Sequence, residues 1–456
     1  KNRFKKMEMI RWEFKNYALL KIFLQGNLSP QLERKVKKRI KNMQNLGSFK
    51  TNWICMRALN NLMKAKIFNS RTLENKSKKE LAMVLERQTS NGLFYDDFNS
   101  DSFQYHSYIL ALLIQYYNLS PSRKLKHRII KGLDLLIKIT DPEGDCSYFG
   151  RGQEQVFGYT SAIFALSYAN QHFNEKYGPY AKLIYNYIKP YLRDKRIIAN
   201  KDDKYKSGWY KYNYITDYLP FSASYLLMSK KHLNLNKTTL PKLEEYETFL
   251  EDSNLFIKKT KEYFVCICAG NKETSELPGL IHMYPKVIPC SGGPHINIKG
   301  KSYTYNFMGI GKKNILAKQT GTFKRKDNQL QLSFEFKPMD VTYTWTFSKN
   351  LTFKIEIHPH ERITLSPLHY VAWEPLDDTK AINRIITPKG LAYEYIQPLT
   401  ITNKKIEKIL VLHKGKSIPN KIIVQQKNKS IRKKRLNKKI SHFIKLSLNK
   451  LFFHPR

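Results

Sequence analysis

The sequence has no long hydrophobic run and few cysteines. No apolar run reaches the roughly 18 residues that a membrane-spanning helix requires, so we predict no transmembrane segment. The five cysteines are odd in number, and no two have the CxxC spacing of a typical metal site. We therefore expect unpaired, mostly buried thiols, and neither a metal nor another cofactor. The cysteines are Cys55, Cys146, Cys266, Cys268 and Cys290.

Acidic residues are scarce relative to basic ones. The chain has 37 Asp and Glu residues against 80 Lys and Arg residues, which gives a formal net charge of +43. A positive field of this size attracts polyanions, so charge alone leaves nucleic acid, anionic membranes and acidic polysaccharides open as partners. The sequence contains no recognisable RNA- or DNA-binding module, and we predict that nucleic acid is not a partner.

The first 258 residues have the pattern of a helical domain. Hydrophobic residues make up 41% of the chain, and in this part they recur at helical spacing in segments joined by short polar links. The fold class that we predict is α+β multidomain, with an N-terminal (α/α) toroid at residues 1–258. Its helices fall short of a complete double ring, so the toroid is expected to be open or to lack an N-terminal piece. The predicted helices include Gln31–Met43, Asn52–Ile67, Phe103–Tyr117, Arg123–Lys138, Gln153–Asn170 and Tyr218–Met228.

From residue 259 onwards the pattern changes to short alternating runs rich in β-branched and aromatic residues. Examples are QLQLSFEF, VTYTWTFS and LTFKIEIHP, and Gly, Asn or Pro residues separate such runs. This pattern is typical of antiparallel strands. We therefore predict an antiparallel β-sandwich domain at residues 259–456.

Two stretches of the helical domain concentrate polar and aromatic residues at the start of a helix. Asn91–Tyr117 and Gly150–Ala169 each begin as a polar, glycine-containing turn and continue directly into an apolar helix. Ionisable groups placed at successive helix starts form a polar cleft on a rigid scaffold. Such a cleft suits a long polar substrate.

Three short motifs in this region resemble those of the toroid-type polysaccharide lyases, such as heparinase, hyaluronate lyase and alginate lyase, and of related toroid enzymes. Asn52-Trp53 with Arg57 resembles an asparagine-tryptophan helix start, and the segment from Asn91-Gly92 to His106 is similar to an Asp-Gly-aromatic turn before a His and Tyr helix. Gly150-Arg151-Gly152-Gln153 resembles a Gly-Arg-Ser turn. The match covers roughly residues 50–170. It departs from the family pattern at Asn91, where Asp is common, and at Gln153 and Gln155, where a second arginine often occurs.

The resemblance implies cleavage of an anionic polysaccharide that contains uronic acid, by β-elimination. Side chains that neutralise the uronate carboxylate stabilise the enolate that forms when the C5 proton leaves, and a base and an acid transfer the protons. The predicted catalytic residues are Asn52, Tyr105, His106, Tyr108 and Arg151. The predicted substrate-binding residues are Trp53, Arg57, Asn99, Gln153, Trp209, Tyr210, Tyr214 and His282.

Each of these residues also has a purely structural interpretation. His106 is equally explained as a helix residue bonded to a carbonyl, and Asn52 as an N-cap. One of Tyr105 and Tyr108 is explained as a core residue, because the two are spaced i and i+3. Arg151 is explained as a brace at a helix start. The aromatic residues near position 210 are explained by packing between helices.

Two other functions remain open. A glycoside hydrolase on the same scaffold, similar to a glucuronidase, needs two opposed carboxylates, and Asp96, Asp97, Asp101, Glu154 and Asp217 are available. A glycan-binding protein without catalysis is the other alternative. The chain begins at Lys1 without a signal-peptide core, so we expect a fragment or processed form of a secreted or cell-envelope protein.

Overall fold

A computed structural model describes the helical part of the chain most fully. The described residues are 12–43, 47, 49–96, 103–148, 156–193, 196–197, 218–261, 263–269, 321–336 and 339–348. For the strands at 279–284, 351–359, 363–365, 385–386, 392–393, 399–401, 406–412 and 423–425, the description is limited to the backbone.

The described residues include nine α-helices joined mostly by short links. They are α1 (Trp12–Gln25), α2 (Pro30–Lys41), α3 (Thr51–Phe68), α4 (Arg71–Glu86), α5 (Phe103–Leu119), α6 (Arg123–Lys138), α7 (Val156–His172), α8 (Tyr177–Ile188) and α9 (Tyr218–Lys230). The links after α3, α5 and α7 are so short that each following helix runs back antiparallel to it. The helical hairpins predicted from the sequence are therefore present.

The helices form an inner and an outer layer. Helices α1, α3, α5, α7 and α9 pack side by side in that order, and α2, α4, α6 and α8 each pack on the outside of the preceding inner helix. Helices α5 and α7 are apolar on all sides and almost wholly buried, whereas α4 and α6 bury only one stripe. This difference is expected because a helix that is covered on every side needs apolar residues all round.

Three aromatic contacts join α1 to α9, the first and last described helices of the inner layer. The Phe14 ring lies 5.6 Å from Tyr218 and 5.0 Å from Phe221, and Tyr17 stacks on Phe221 at 5.1 Å. The inner helices all run in the same direction, so their N-termini lie at one end. We call this end, with the loop at 87–96, the mouth.

Serine caps fix where the outer helices begin. Ser29, Ser70 and Ser122 each accept a hydrogen bond from the backbone N–H three residues later, at the starts of α2, α4 and α6. Such caps satisfy N–H groups that a helix leaves free. The Ser-Pro signal before the helix predicted at Gln31–Met43 is thereby confirmed.

The strands form two main antiparallel sheets. The first contains β3 (Tyr246–Leu250), β4 (Leu255–Lys259), β5 (Phe264–Cys268) and β6 (Gly279–Tyr284) in that order, after a short hairpin of β1 (Leu192–Arg193) and β2 (Arg196–Ile197). The second has the order β7-β8-β9-β10-β15-β16. Its strands are β7 (Thr322–Lys326), β8 (Gln329–Phe336), β9 (Met339–Phe347), β10 (Leu351–Pro359), β15 (Ile406–Leu412) and β16 (Ile423–Gln425).

Two further strand pairs occur in the chain segment that connects β10 to β15. They are β11 (Ile363–Leu365) with β14 (Leu399–Ile401), and β12 (Ile385–Ile386) with β13 (Ala392–Tyr393). The antiparallel strands predicted from the alternating pattern are confirmed. The arrangement of the sheets as a sandwich stays a prediction. Strands β1, β2 and β3 precede residue 259, and β4 ends at it. The division into domains at that residue also stays a prediction.

The first sheet packs against the loops at the mouth. Its buried residues Leu255, Ile257 and Phe264 belong to the same hydrophobic core as the helices. The turn between β3 and β4 is bonded to the 87–96 loop, because the Asp252 carboxylate accepts from the Ser90 N–H at 2.5 Å and the Asp252 carbonyl accepts from the Tyr95 hydroxyl at 3.0 Å. The sheet thus lies beside the helix starts that the sequence assigns to the site.

Two expectations from composition can be compared with this structure. Cys55, Cys146, Cys266 and Cys268 are buried thiols that form no disulfide within the described part of the chain, as predicted, and Cys290 lies outside the described residues. Within the part of the chain that the structure describes, no helix is long and apolar enough to cross a membrane.

Candidate active site

The mouth gathers the positive ends of several helix dipoles. Helices α3, α5, α7 and α9 begin there, at Thr51, Phe103, Val156 and Tyr218. The first turn of a helix has unpaired N–H groups and about half a positive charge, which together favour an anion. The mouth is therefore suited to a negatively charged ligand.

Asn52 has a buried side chain whose amide oxygen has no hydrogen-bond partner among the described residues. It is the second residue of α3, and the N-cap of that helix is Lys50, so the interpretation of Asn52 as an N-cap is wrong. The residue is 4% exposed, and its Oδ1 has no partner in the structure. Leaving a buried polar group unpaired costs about 1–3 kcal/mol. Such a cost is tolerated where the group binds a ligand.

Tyr105 and Tyr108 lie in the first two turns of α5 and face the next inner helix. Both are buried, and their rings contact Phe157 of α7 at 5.9 and 5.7 Å. Phe157 in turn stacks on Tyr218, the first residue of α9, at 4.4 Å. The two tyrosines therefore belong to an aromatic cluster that joins the starts of three inner helices.

Trp53 belongs to the same cluster through α1. Its ring meets Phe14 edge-on at 5.0 Å, and Phe14 also contacts Tyr218. The side chain is partly buried, so part of it is left for another contact. Its role in binding a substrate stays a proposal.

His106 faces away from this cluster, towards outer helix α6. It is fully buried, its Nδ1 accepts from the Phe94 N–H at 3.1 Å, and its Nε2–H donates to the Gly132 carbonyl at 3.0 Å. Burial lowers the pKa of His106 to about 4, although the bond to Gly132 acts in the opposite direction. Because both ring nitrogens are engaged in this way, neither is left to take a proton from a substrate. The observed arrangement agrees with the structural interpretation of His106 as a helix residue bonded to a carbonyl.

His106 instead holds the loop at 87–96. The same loop is fixed by the Gln88 side chain, which donates to the Gly92 and Arg128 carbonyls at 2.9 Å each. Gly92 has a φ of +102°, and a Cβ there would lie 2.4 Å from the Lys131 carbonyl oxygen, so this close approach requires glycine. The loop then ends at Asp96.

The end of this loop connects it to the start of α3. The Asp96 carbonyl accepts from the Thr51 N–H at 2.7 Å, so His106 acts indirectly on the position of Asn52. The sequence contained one signal for this role of His106 that the sequence analysis did not use, namely Gly132 inside amphipathic α6. A Cβ at Gly132 would lie 3.2 Å from His106 Cε1, so the glycine provides the space that the ring occupies.

Arg57 points to the outer layer as well. Its Nε donates to Glu80 Oε1 of α4 at 2.6 Å, and Asn61 donates to the other oxygen of Glu80 at 2.7 Å. The arginine is largely buried in this ion pair between α3 and α4. The structure thus gives Arg57 a bracing contact, and its predicted role in binding a substrate finds no support in this geometry.

Removing the carboxylate of this pair should destabilise the helical domain. We expect Glu80→Gln to lower the free energy of unfolding by about 3 kcal/mol, because it removes the carboxylate that pairs with the largely buried Arg57 charge. Urea denaturation followed by circular dichroism measures the change. Glu74→Gln removes an exposed carboxylate of the same helix, which pairs with Lys78, and should have no measurable effect. Equal stabilities of the two variants would contradict the bracing role.

The remaining predicted site residues lie outside the described residues or lack a described side chain. Chain connectivity places their segments directly before α5, α7 and α9, except for His282, which lies on β6 opposite Cys266 of β5. Their roles stay predictions. Those outside the described residues are Asn99, Arg151, Gln153, Trp209, Tyr210 and Tyr214.

Comparison with known proteins provides an independent view of the fold. No model of a known protein family matches the chain, and no curated protein does. A xanthan lyase from Paenibacillus superposes with a TM-score of 0.51 at 9% identity, covering 87% of this chain and 42% of that one. This chain therefore corresponds to less than half of the length of the xanthan lyase.

Two further solved structures are similar over different shares of the chain. A mutant of a heparan sulfate lyase from Pedobacter heparinus matches at 10% identity and a TM-score of 0.32, covering 93% of this chain and 83% of that one. A family 88 glycosyl hydrolase from Bacteroides vulgatus matches at 13% identity and a TM-score of 0.36, covering 48% and 72%. Of the three, the xanthan lyase passes a TM-score of 0.5. The resemblance of the sequence to the toroid-type polysaccharide lyases is thereby confirmed at the level of the fold.

Proposed function

We propose that this chain is a polysaccharide lyase that cleaves an anionic polysaccharide containing uronic acid by β-elimination at the mouth. The observation that carries the proposal is the buried Asn52 amide, whose Oδ1 is unpartnered, in the first turn of α3. The adjacent inner helix α5 presents Tyr105 and Tyr108 in its first two turns. The Oδ1 atom itself is an acceptor, and rotation of the amide by roughly 180° around χ2 places its N–H donors at this unpartnered position, where they bind a uronate carboxylate.

The amide and the helix ends would bind the uronate carboxylate. Neutralising that carboxylate makes the C5 proton more acidic and stabilises the enolate that forms as the proton leaves. Asn52 supplies N–H donors and the four helix starts supply positive potential. We propose that Arg151 and Gln153, a few residues before α7, add further donors.

Tyr105 is the residue that we propose for proton transfer. As a phenolate it takes the C5 proton, the electron pair of the broken C–H bond forms the C4–C5 double bond, and the C4–O bond breaks. The leaving oxygen then takes a proton, for which Tyr108, one turn further along α5, is placed in the same cluster. His106 takes no part in these steps and positions the loop that leads to α3.

A hydrolase on the same scaffold has one observation in its favour. Asp96 is 2% exposed at the mouth, and a buried carboxylate is suited to act as a general acid. A hydrolase needs a second carboxylate across the bond, and the candidates Asp97, Asp101, Glu154 and Asp217 lie outside the described residues. The lyase proposal is preferred because it gives the buried Asn52 amide at the mouth a ligand, after the rotation that places its N–H donors at the unpartnered position.

Ultraviolet absorbance on a panel of polymers distinguishes these functions. Elimination leaves an absorbing unsaturated sugar at the new non-reducing end, whereas hydrolysis leaves none and binding leaves the chain length unchanged. We expect absorbance to rise with at least one uronic-acid polymer. Shorter products without absorbance would indicate the hydrolase. A polymeric substrate of this kind also agrees with a secreted or cell-envelope location.

A further inference from the structure

A small groove lies at the junction of α6, the mouth loop and the first sheet. It has a volume of about 250 Å³ and lies on the same side as the mouth, because the mouth loop forms one of its walls. This volume is below the roughly 300–1,000 Å³ of sites for drug-sized ligands, so the groove suits one small polar unit. Its polar lining residues are Ser90, Asn91, Lys131, Asp134, Lys138 and Thr248.

The groove has an excess of positive charge. Lys131 and Lys138 lie on one face of α6, about 10 Å apart along the helix axis, and neither forms an ion pair within the described part of the chain. Asp134 between them is already compensated, since its Oδ1 accepts from Lys176 Nζ and from the Tyr177 hydroxyl at 2.8 Å each. The nearby Asp252 carboxylate accepts from the Ser90 N–H. Two ammonium groups therefore remain for an anion.

The position of the groove links it to the mouth. Ser90 and Asn91 form one wall, and the same loop continues to Asp96, which is bonded to the first residue of α3. The β3 strand forms the opposite wall through Thr248. A polymer chain that leaves the mouth over this loop passes the two lysines.

We infer that this groove is an accessory subsite that binds an anionic sugar residue of the polymer, one or more units away from the bond that is cut. The inference rests on the proposed function for the identity of the polymer. Lys131 and Lys138 bind the carboxylate or sulfate of that residue. The subsite raises the affinity for long chains and does not act on the reacting sugar.

Calorimetric titration with heparan sulfate fragments tests this subsite. We expect Lys131→Gln/Lys138→Gln to raise the Kd of an octasaccharide about tenfold, which corresponds to about 1.4 kcal/mol, and to leave the Kd of a disaccharide unchanged. Glutamine keeps the Cβ and Cγ atoms of the side chain, so position 131 still packs on Gly92 in the variant. Lys131→Arg/Lys138→Arg should retain tight binding. An octasaccharide Kd that does not change in the glutamine variant would overturn the subsite.

Two controls separate this inference from the proposed function. Lys124→Gln removes one positive charge from the same helix, two turns before Lys131 and away from the groove, and should leave both Kd values unchanged. A rise of half the double variant's effect or more, in kcal/mol, would overturn a local subsite. Asn52→Ala should weaken both fragments if the mouth binds the reacting sugar. One outcome supports the groove and contradicts the lyase proposal. In that outcome the lysine double variant loses affinity for the octasaccharide, and Asn52→Ala changes neither binding nor turnover. No binding of either fragment by the wild type contradicts the subsite, because heparan sulfate carries both the carboxylates and the sulfates that the two lysines are proposed to bind. The lyase proposal is contradicted separately, if no polymer of the ultraviolet panel is cut.

Discussion

Tyr105→Phe should lower kcat by about 10²-fold or more, the usual contribution of a positioned proton-transfer group. The substitution removes the hydroxyl and keeps the ring, so the contact with Phe157 at 5.9 Å remains. Affinity for the polymer should survive, because Asn52 and the helix ends bind the carboxylate independently of the hydroxyl. Steady-state kinetics on the polymer that the wild type degrades, together with a thermal melt, measure both quantities.

Tyr116→Phe is the matched control for this experiment. Tyr116 lies on the same helix and is buried, and its hydroxyl is bonded to Ser77 at 3.1 Å, far from the first turn. Losing that bond should lower the free energy of unfolding by about 1 kcal/mol and leave kcat unchanged. A fully active Tyr105→Phe variant would remove Tyr105 from the mechanism.

His106→Ala should lower the free energy of unfolding by about 3 kcal/mol or more. The substitution removes a fully buried ring together with its bond to the Gly132 carbonyl, and it leaves the buried Phe94 N–H without its histidine acceptor. An unpaired buried group costs about 1–3 kcal/mol, and the cavity left by the ring adds to this cost. Urea denaturation measures the loss. A variant with wild-type stability and no activity would restore His106 as the base.

The same histidine should make stability depend on pH. Its pKa is lowered from 6.5 to about 4 in the folded chain, so between these values the unfolded state binds the additional proton. Stability is therefore complete above about pH 6.5 and falls as the pH falls towards 4, by a total on the order of 3 kcal/mol. His106→Gln should lose this part of the pH dependence, whereas His127→Gln, which alters an exposed residue of α6, should keep it.

The helical layout could be predicted from the sequence because local signals determine it. The predicted Asn52–Ile67, Arg123–Lys138 and Tyr218–Met228 differ from the observed α3, α6 and α9 by at most two residues at either end. Apolar residues at helical spacing and serine caps before the outer helices act within one element, so they are visible in one sequence. The gathering of polar residues at the inner helix starts follows from short links that make successive helices antiparallel.

The orientations of individual side chains could not be predicted, because residues distant in sequence decide them. His106 and Tyr105 are neighbours in α5, yet one bonds to Gly132 of α6 and the other contacts Phe157 of α7. Arg57 forms an ion pair with Glu80, which is 23 residues away in the sequence. A single sequence shows these residue types and not which of them meet. The polar residues that reach the cleft and those that brace it therefore look alike in the sequence.

The cleavage of a uronic-acid polymer before and after chemical reduction of its carboxylates to alcohols tests the central claim most directly. Reduction keeps the glycosidic bonds and removes the group that Asn52 is proposed to bind and that makes the C5 proton acidic. We predict that the native polymer is cut to products with an ultraviolet-absorbing end and that the reduced polymer is not cut. Equal cleavage of both polymers, without absorbance, would contradict elimination at the mouth.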